Sequence, residues 1–247
     1  MNEREYLELF RLECTYWWFV GRRYIVRSLL REGSAMDGDG EKCIVDVGCG
    51  AGGNLTMLQQ YGKVVGMDIS LTALSLCRRR WNGALLGGDI TQLPFRTNSV
   101  DVITALDVLE HVRDDITALR ECWRVLKPGG CIIITVPSLR SLWSVHDVAL
   151  RHYRRYSRAE LGAKIARAGF VIDKLSFAIC PLLPIVFVFR KVQNLCTCIA
   201  ESRTALIELP NPLNRALIAL LALEAQVLRW SDLPFGVSLI CRAHKPI

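Results

Sequence analysis

The rhythm of apolar and polar positions changes along the chain. Between residues 43 and 137, short runs that are apolar at nearly every position alternate with segments whose apolar residues recur every three or four positions. The runs CIVDVG (43–48), VVGMD (64–68), ALLGGD (84–89), VDVITAL (100–106) and CIIITVP (131–137) predict strands, and residues 55–61, 71–81 and 115–126 predict the helices between them. A strand apolar on both faces needs cover on both, which is the condition of a parallel sheet wound on two sides by helices. Boundary residues agree. Ser70 and Asp114 stand where helix N-caps are needed, and Ser157 with Glu160 makes an S-x-x-E capping box. Lys127-Pro128-Gly129-Gly130 ends a helix and turns the chain into the next strand. Further strands are predicted over 171–179 and within PFGVSLICRAHK (234–245).

The flanks read differently. Residues 3–31 predict one or two helices rich in aromatics (Tyr6, Phe10, Tyr16, Trp17, Trp18, Phe19), followed by a polar, Gly-rich linker over 32–42. From residue 180 to about 230 the chain becomes helical and apolar. Its longest apolar run, LSFAICPLLPIVFVF (175–189), is broken by Pro181 and Pro184, and no uninterrupted apolar stretch approaches the ~18 residues of a spanning helix. The expected organisation is an N-terminal helical cap (1–32), a Rossmann-like core (43–179), an apolar helical insertion (180–232) and a closing strand (233–247).

Composition narrows the class. At 51% hydrophobic and 22% charged residues the chain is too apolar for intrinsic disorder, and its 247 residues can bury a substantial core. The N-terminus lacks the apolar stretch of a secretory signal, and the ten cysteines are scattered without a paired C-x-x-C. A reducing, cytoplasmic setting and no metal site are expected. The net charge of +7 gathers at Arg22, Arg23, Arg27 and Arg31, at 78–80, and at Arg151, Arg154, Arg155 and Arg158, which suits anionic substrates, nucleic acid or an acidic membrane face.

The chemistry centres on VDVGCGAGGN (45–54), which places glycines between a predicted strand and helix, where the backbone turns tightly and approaches a ligand. Gly48, Gly50 and Gly53 fit the dinucleotide G-x-G-x-x-G spacing, and Gly48, Gly50 and Gly52 fit G-x-G-x-G, so the glycines alone leave a nicotinamide enzyme and another nucleoside binder both open. Asp68 ends the second strand, where a carboxylate accepts from ribose hydroxyls, and Asp89 ends the third, placed to accept from an adenine amino group.

The ordered set VDVGCGAG, VVGMDIS, GDITQLPF, SVDVITALDVLEHV and LKPGG resembles the successive motifs of class I S-adenosylmethionine-dependent methyltransferases. The resemblance implies a doubly wound, seven-stranded α/β sheet, mostly parallel with an antiparallel last strand, and S-adenosyl-L-methionine as cofactor. It implies that Asp46, Gly48, Cys49, Gly50 and Gly52 line the methionine and ribose side. Asp68 and Ile69 then hold the ribose and flank adenine, Asp89 and Ile90 meet the adenine edge, and Leu106 lies over the cofactor. A cofactor without phosphate whose amino and sulfonium groups are positive also tolerates Asp46 beside the loop better than a pyrophosphate does.

The acceptor is sought in the segment after the fifth strand, SLWSVHDVALRHYRRYS (141–157). His146 or His152 is the expected proton acceptor, and Trp18, Arg22, Asp147, Arg154, Arg155 and Tyr156 are the expected acceptor-binding residues. Glu110 and His111 read as local to the cofactor pocket. The leading WWF, the histidine and arginine-rich lid and the C-terminal LPFGVSLI resemble a bacterial subgroup associated with polysaccharide and glycolipid pathways. That resemblance implies a small-molecule, saccharide or lipid-linked acceptor. Residues 180–232 then either cover an apolar acceptor or the inner membrane face, or bury one another or form a homodimer face. No nucleic-acid partner is expected, since no N/D-P-P-Y motif or added RNA-binding module is present. The rival readings are an NAD(P)-dependent oxidoreductase and a non-catalytic S-adenosylmethionine-binding module.

Overall fold

A computed structural model of the chain describes residues 3–31, 40–196 and 209–247. Most of the expected linker (32–42) and residues 197–208 of the expected insertion lie outside the described residues.

Seven strands form one sheet in the order β3-β2-β1-β4-β5-β7-β6. The strands are β1 (Cys43–Val47), β2 (Lys63–Asp68), β3 (Ala84–Gly87), β4 (Val100–Leu106), β5 (Leu126–Pro137), β6 (Val171–Ala178) and β7 (Ser238–His244). The first five run parallel, and β7 lies antiparallel between β5 and β6. This is the mostly parallel, doubly wound sheet that the continuous apolar runs predict. Successive residues of one strand feed opposite cores, as strand geometry requires. Ile44, Val102, Ile133 and Ile240 enter one cluster, and their neighbours Val45, Ile103, Ile134 and Cys241 enter the other.

Helices α5 (Asp115–Val125) and α7 (Arg158–Arg167) cover the second cluster. Over the first lie α2 (Trp17–Leu30), α3 (Leu55–Leu58), α4 (Leu71–Cys77) and α9 (Asn211–Leu228), with α1 (Glu3–Leu12) leading into them. Short α6 (Val145–Ala149) belongs to the segment after β5, and α8 (Leu183–Cys196) follows β6. The predicted N-caps are made: Ser70 accepts from the Ala73 amide, Asp114 from Thr117 and Ser157 from Glu160. Glu160, expected to reach back in a capping box, instead pairs with Arg140 and Lys164.

Two boundaries differ from the sequence pattern. Helix α4 stops at Cys77 and not at 81, because Arg80 is drawn across to the Glu13 carboxylate and the Phe10 carbonyl. Strand β5 begins at Leu126, so Lys127–Gly130 forms a bulge inside the strand: Leu126 pairs with Val100, yet the next partner pair is Cys131 with Val102. Gly129 takes φ +76°, and the extra backbone is satisfied by Lys245, which accepts from the Gly129 amide and donates to the Gly130 carbonyl.

The cap and the insertion, far apart in sequence, pack on each other. Helix α9 buries Leu221, Glu224, Ala225 and Leu228, and Asn214 near its start accepts from the Trp17 amide and donates to the Thr15 carbonyl. Glu224 also accepts from the amides of Ile179 and Cys180, holding Ile179 at φ +59°, a conformation that a β-branched residue rarely adopts. Helix α8 instead leaves Ile185, Val188 and Val192 exposed. Among the described residues no helix is long and apolar enough to cross a membrane. The α2–α9 approach is set by Gly21, where a Cβ would lie 2.8 Å from the Leu221 Cβ. Gly21→Ala is therefore expected to lower unfolding free energy by about 1–2 kcal/mol in urea titrations, the overpacking outweighing the ~1 kcal/mol gain in helix propensity.

Candidate functional site

The strand ends with residues in open α/β sheets line up ligand crevices at the carboxyl edge, and here that edge carries the loop after β1. Gly48 and Gly52 adopt φ +67° and +86°, and a Cβ would meet Val108 at 2.5 Å in the first case and the Cys77 sulfur at 2.6 Å in the second. Asp68 ties the loop down: Oδ2 accepts from the Gly50 amide at 2.9 Å and Oδ1 from the Ser70 amide at 2.8 Å. Burial raises its pKa above the ordinary carboxylate value. On the neighbouring strand, Asp68 is in register with Gly87, which brings Asp89 to the adjacent strand end. Asp89 Oδ1 accepts from the Thr91 amide and hydroxyl, both at 2.8 Å. Ile90 is buried beneath it, whereas Ile69 is 72% exposed beside Asp68. Leu106 and Cys49 are buried in the first core cluster.

Asp46 lies under this loop, fully buried at the end of β1. Thr104 donates to Oδ1 at 2.5 Å, and Oδ2 has no hydrogen-bond partner among the described residues. Desolvation pushes its pKa up to about 7. A second acid reaches the loop from the cap. Glu13 lies so close that a Cβ on Gly53 would meet its Oε2 at 2.9 Å, and it is held by Arg80 at 3.3 Å, while Arg23 donates to the carbonyls of Glu13, Cys14 and Gly53. Burial raises the Glu13 pKa. The sequence pattern gives no sign of this contact, since 13 and 53 come together only through the packing of α1 and α2.

Beyond β4 the chain turns through Asp107, at φ +57°, into a 3-10 turn over Leu109–His111. Asp107 accepts from Thr135 at 2.8 Å and pairs with Arg22 of α2. The segment after β5 closes over this turn. Its centre is Asp147, which has no exposed surface and takes Arg155 Nε at 2.8 Å and Nη2 at 3.1 Å, His152 Nδ1 at 2.9 Å and the Ser144 amide at 3.0 Å. Arg190 of α8 adds a second guanidinium at 3.8 Å and bonds Ser144. His152 and Arg155 hold the Asp147 carboxyl well below its usual range.

These partners change the reading of the expected acceptor residues. Arg155 also donates to the Ser138 carbonyl, so both ends of its guanidinium are used internally. Arg154 pairs with Asp115 at 2.8 Å and the Arg113 carbonyl. Tyr156 is fully buried and donates to Asp115 and the Leu109 carbonyl. Arg22 is committed to Asp107, and Trp18 packs edge-on against Trp17 with centroids 5.4 Å apart. Asp147, Arg154, Arg155 and Tyr156 thus each have an ionic or hydrogen-bond partner within the protein. His146, expected as a proton acceptor, is pushed down to about 3, first by burial and then by Arg190, which makes it a weak base at neutral pH. His111 is likewise lowered to about 4 by burial and by its neighbour His152. His152 is held in place through Nδ1, which meets Asp147 at 2.9 Å. Asp107, Glu13 and Arg190 are the residues at this edge that the sequence reading misses. Asp107 alone had a local signal, its place directly after Leu106.

Two stability measurements check this electrostatic picture. Between pH ~4 and 7 the folded chain keeps a proton on Asp46 that the unfolded chain has released, so this group's contribution to stability falls as pH rises through that window. Asp46→Asn is expected to remove that decline, on the order of a few kcal/mol, so that urea titrations at pH 5 and 8 show the variant gaining relative to wild type at the higher pH. Arg155→Ala is expected to cost about 3–5 kcal/mol by stranding Asp147. A near-neutral result would remove Arg155 from its structural role.

Comparison with known proteins agrees with the fold and the motifs. A family model described as a methyltransferase domain matches residues 45–134. A protein of Mycolicibacterium smegmatis named as a probable S-adenosylmethionine-dependent methyltransferase is 27% identical over 161 residues, covering 64% of this chain and 60% of the relative. The demethylmenaquinone methyltransferase of Oceanobacillus iheyensis is 32% identical over 134 residues, covering 50% of this chain and 56% of the relative. The chain thus spans less than two thirds of the length of either. Among solved structures, an S-adenosylmethionine-dependent methyltransferase of Thermotoga maritima superposes with a TM-score of 0.60 at 19% identity, covering 98% of this chain and 95% of that one. With its strand order, its glycine loop and the acids at three successive strand ends, the segment matched by the family model resembles S-adenosylmethionine-dependent methyltransferases in both sequence and fold.

Proposed function

We propose that the chain transfers a methyl group from S-adenosylmethionine to a small-molecule acceptor. The observation that carries this reading is the buried, partnerless Asp46 Oδ2 beneath the glycine loop. An orphaned carboxylate oxygen there fits a positively charged amino group, directly or through water, and Glu13 and Asp68 add two further carboxylates around the same loop. A nicotinamide dinucleotide would bring its pyrophosphate against these three acids, which disfavours the oxidoreductase reading. The remaining lone pairs of Asp68 suit ribose hydroxyls. Asp89 Oδ2, which takes no hydrogen bond among the described residues, suits the adenine amino group, with exposed Ile69 against the ring.

When bound, S-adenosylmethionine supplies a methyl group on a sulfonium that an acceptor lone pair displaces in line. The work left to the chain is to position the acceptor over the ends of β4 and β5 and to keep water away, a task for which the Asp147-centred lid and the α2–α9 pair are the candidates. A small-molecule acceptor is supported by the demethylmenaquinone methyltransferase relative. The narrower reading, a saccharide or lipid-linked acceptor handled in the cytoplasm or at the inner membrane face, is supported by the exposed apolar row of α8 and the arginines near the cap. A second copy of the chain is the other occupant that row would suit.

Calorimetry with S-adenosylhomocysteine and NADH tests the reading. The expected result is saturable S-adenosylhomocysteine binding and none of NADH. Asp68→Asn should weaken that binding about 10- to 100-fold, the loss of a charged acceptor. NADH binding without a response to S-adenosylhomocysteine would overturn it.

A further inference from the structure

The geometry points to a metal site: Glu110, His111 and His152 bind a divalent first-row transition-metal ion beside the end of β4. Each of the three offers one ligand atom, and these atoms all lie within 4.8 Å of one another. The imidazoles stand edge to face with centroids 4.6 Å apart. The two segments that carry them are fastened by backbone, since the Tyr153 amide donates to the Glu110 carbonyl at 2.7 Å.

Two independent features say that the cluster is built for a ligand. The Glu110 side chain is fully buried, and neither of its oxygens has a hydrogen-bond partner among the described residues. A buried carboxylate without partners is costly, and the nearest cations, Arg22 and Arg155, are already committed to Asp107 and Asp147. One of the histidines is also oriented from behind: His152 Nδ1 is held by Asp147 at 2.9 Å. That is how metal-bound histidines are commonly held. Two imidazoles and one carboxylate suit a cation of the Mn²⁺, Fe²⁺, Co²⁺ or Zn²⁺ class better than Mg²⁺ or Ca²⁺, which prefer oxygen alone. Here His152 is a ligand and not a base. Three protein ligands leave coordination positions open, and an acceptor offering a hydroxyl or carboxylate oxygen is the class that fits one. This last step rests on the methyl-transfer reading, while the cation site does not.

Mn²⁺ is the probe, because the ten cysteines of the chain compete for Zn²⁺. The chelator-treated full chain is titrated with MnCl₂, and free Mn²⁺ is read by electron paramagnetic resonance. One saturable Mn²⁺ per chain is expected, weakened at least about tenfold in Glu110→Gln and in His152→Ala. Glu110→Gln keeps the side-chain shape and removes a buried charge, so it stays informative if His152→Ala does not fold. No uptake by the wild-type chain, or undiminished uptake by folded Glu110→Gln, overturns the assignment. Mn²⁺ uptake without S-adenosylhomocysteine binding would keep the metal site and remove the methyl-transfer reading, and the reverse pattern would do the opposite.

Discussion

A carboxylate with no exposed surface cannot remain charged without partners, and the lid of this protein is organised around meeting that condition at Asp147. Arg155 reaches it with two nitrogens, His152 with one, Ser144 through its backbone, and Arg190 from a helix that follows the sixth strand. Through Arg155 the same centre fastens the end of β5, whose Ser138 carbonyl accepts from the guanidinium. One buried charge therefore fixes the lid against the sheet edge, sets the orientation of His152, and draws α8 over both. Removing the carboxylate alone would strand the buried Arg155 and release the imidazole.

A comparable constraint acts on the other side of the edge. Helices α2 and α9 cover the first core together, and the turn before α2 delivers Glu13 to the glycine loop, where Arg80 and Arg23 hold it. The N-terminal segment is thus part of the wall around the loop and not a separate appendage. Asp107, held in a left-handed conformation by Arg22 and Thr135, joins the two sides. Strained backbone of this kind concentrates at working edges of a fold, where surrounding contacts over-determine it.

The parallel sheet was readable because Val45, Ile103 and Ile134 interrupt what would otherwise be alternating patterns, leaving strands apolar on both sides. The caps at Ser70 and Asp114 were readable because they depend on neighbours three residues away. What escaped the sequence depends on tertiary approach. Arg155 looks like a free cation until Asp147 is found beside it, and Lys127–Gly130 looks like a turn until Lys245 supplies the missing backbone partners. Glu13 carries no local signal at all for its place against Gly53. The acids at the strand ends sit where the motifs put them, since they belong to the same loops as the glycines that position them.

The position of β7 has a consequence for how the chain folds. It enters between β5 and β6, and β6 has no other neighbour in the sheet. Until β7 is in place, β5 presents an open edge of unpaired amides and carbonyls, and β6 cannot join the sheet. Helix α9, which precedes β7, must in the same interval find α2 near the other end of the chain. Completion of the fold thus waits on its most non-local contacts, an order that slows folding and prolongs the exposure of a pairing-competent strand during synthesis.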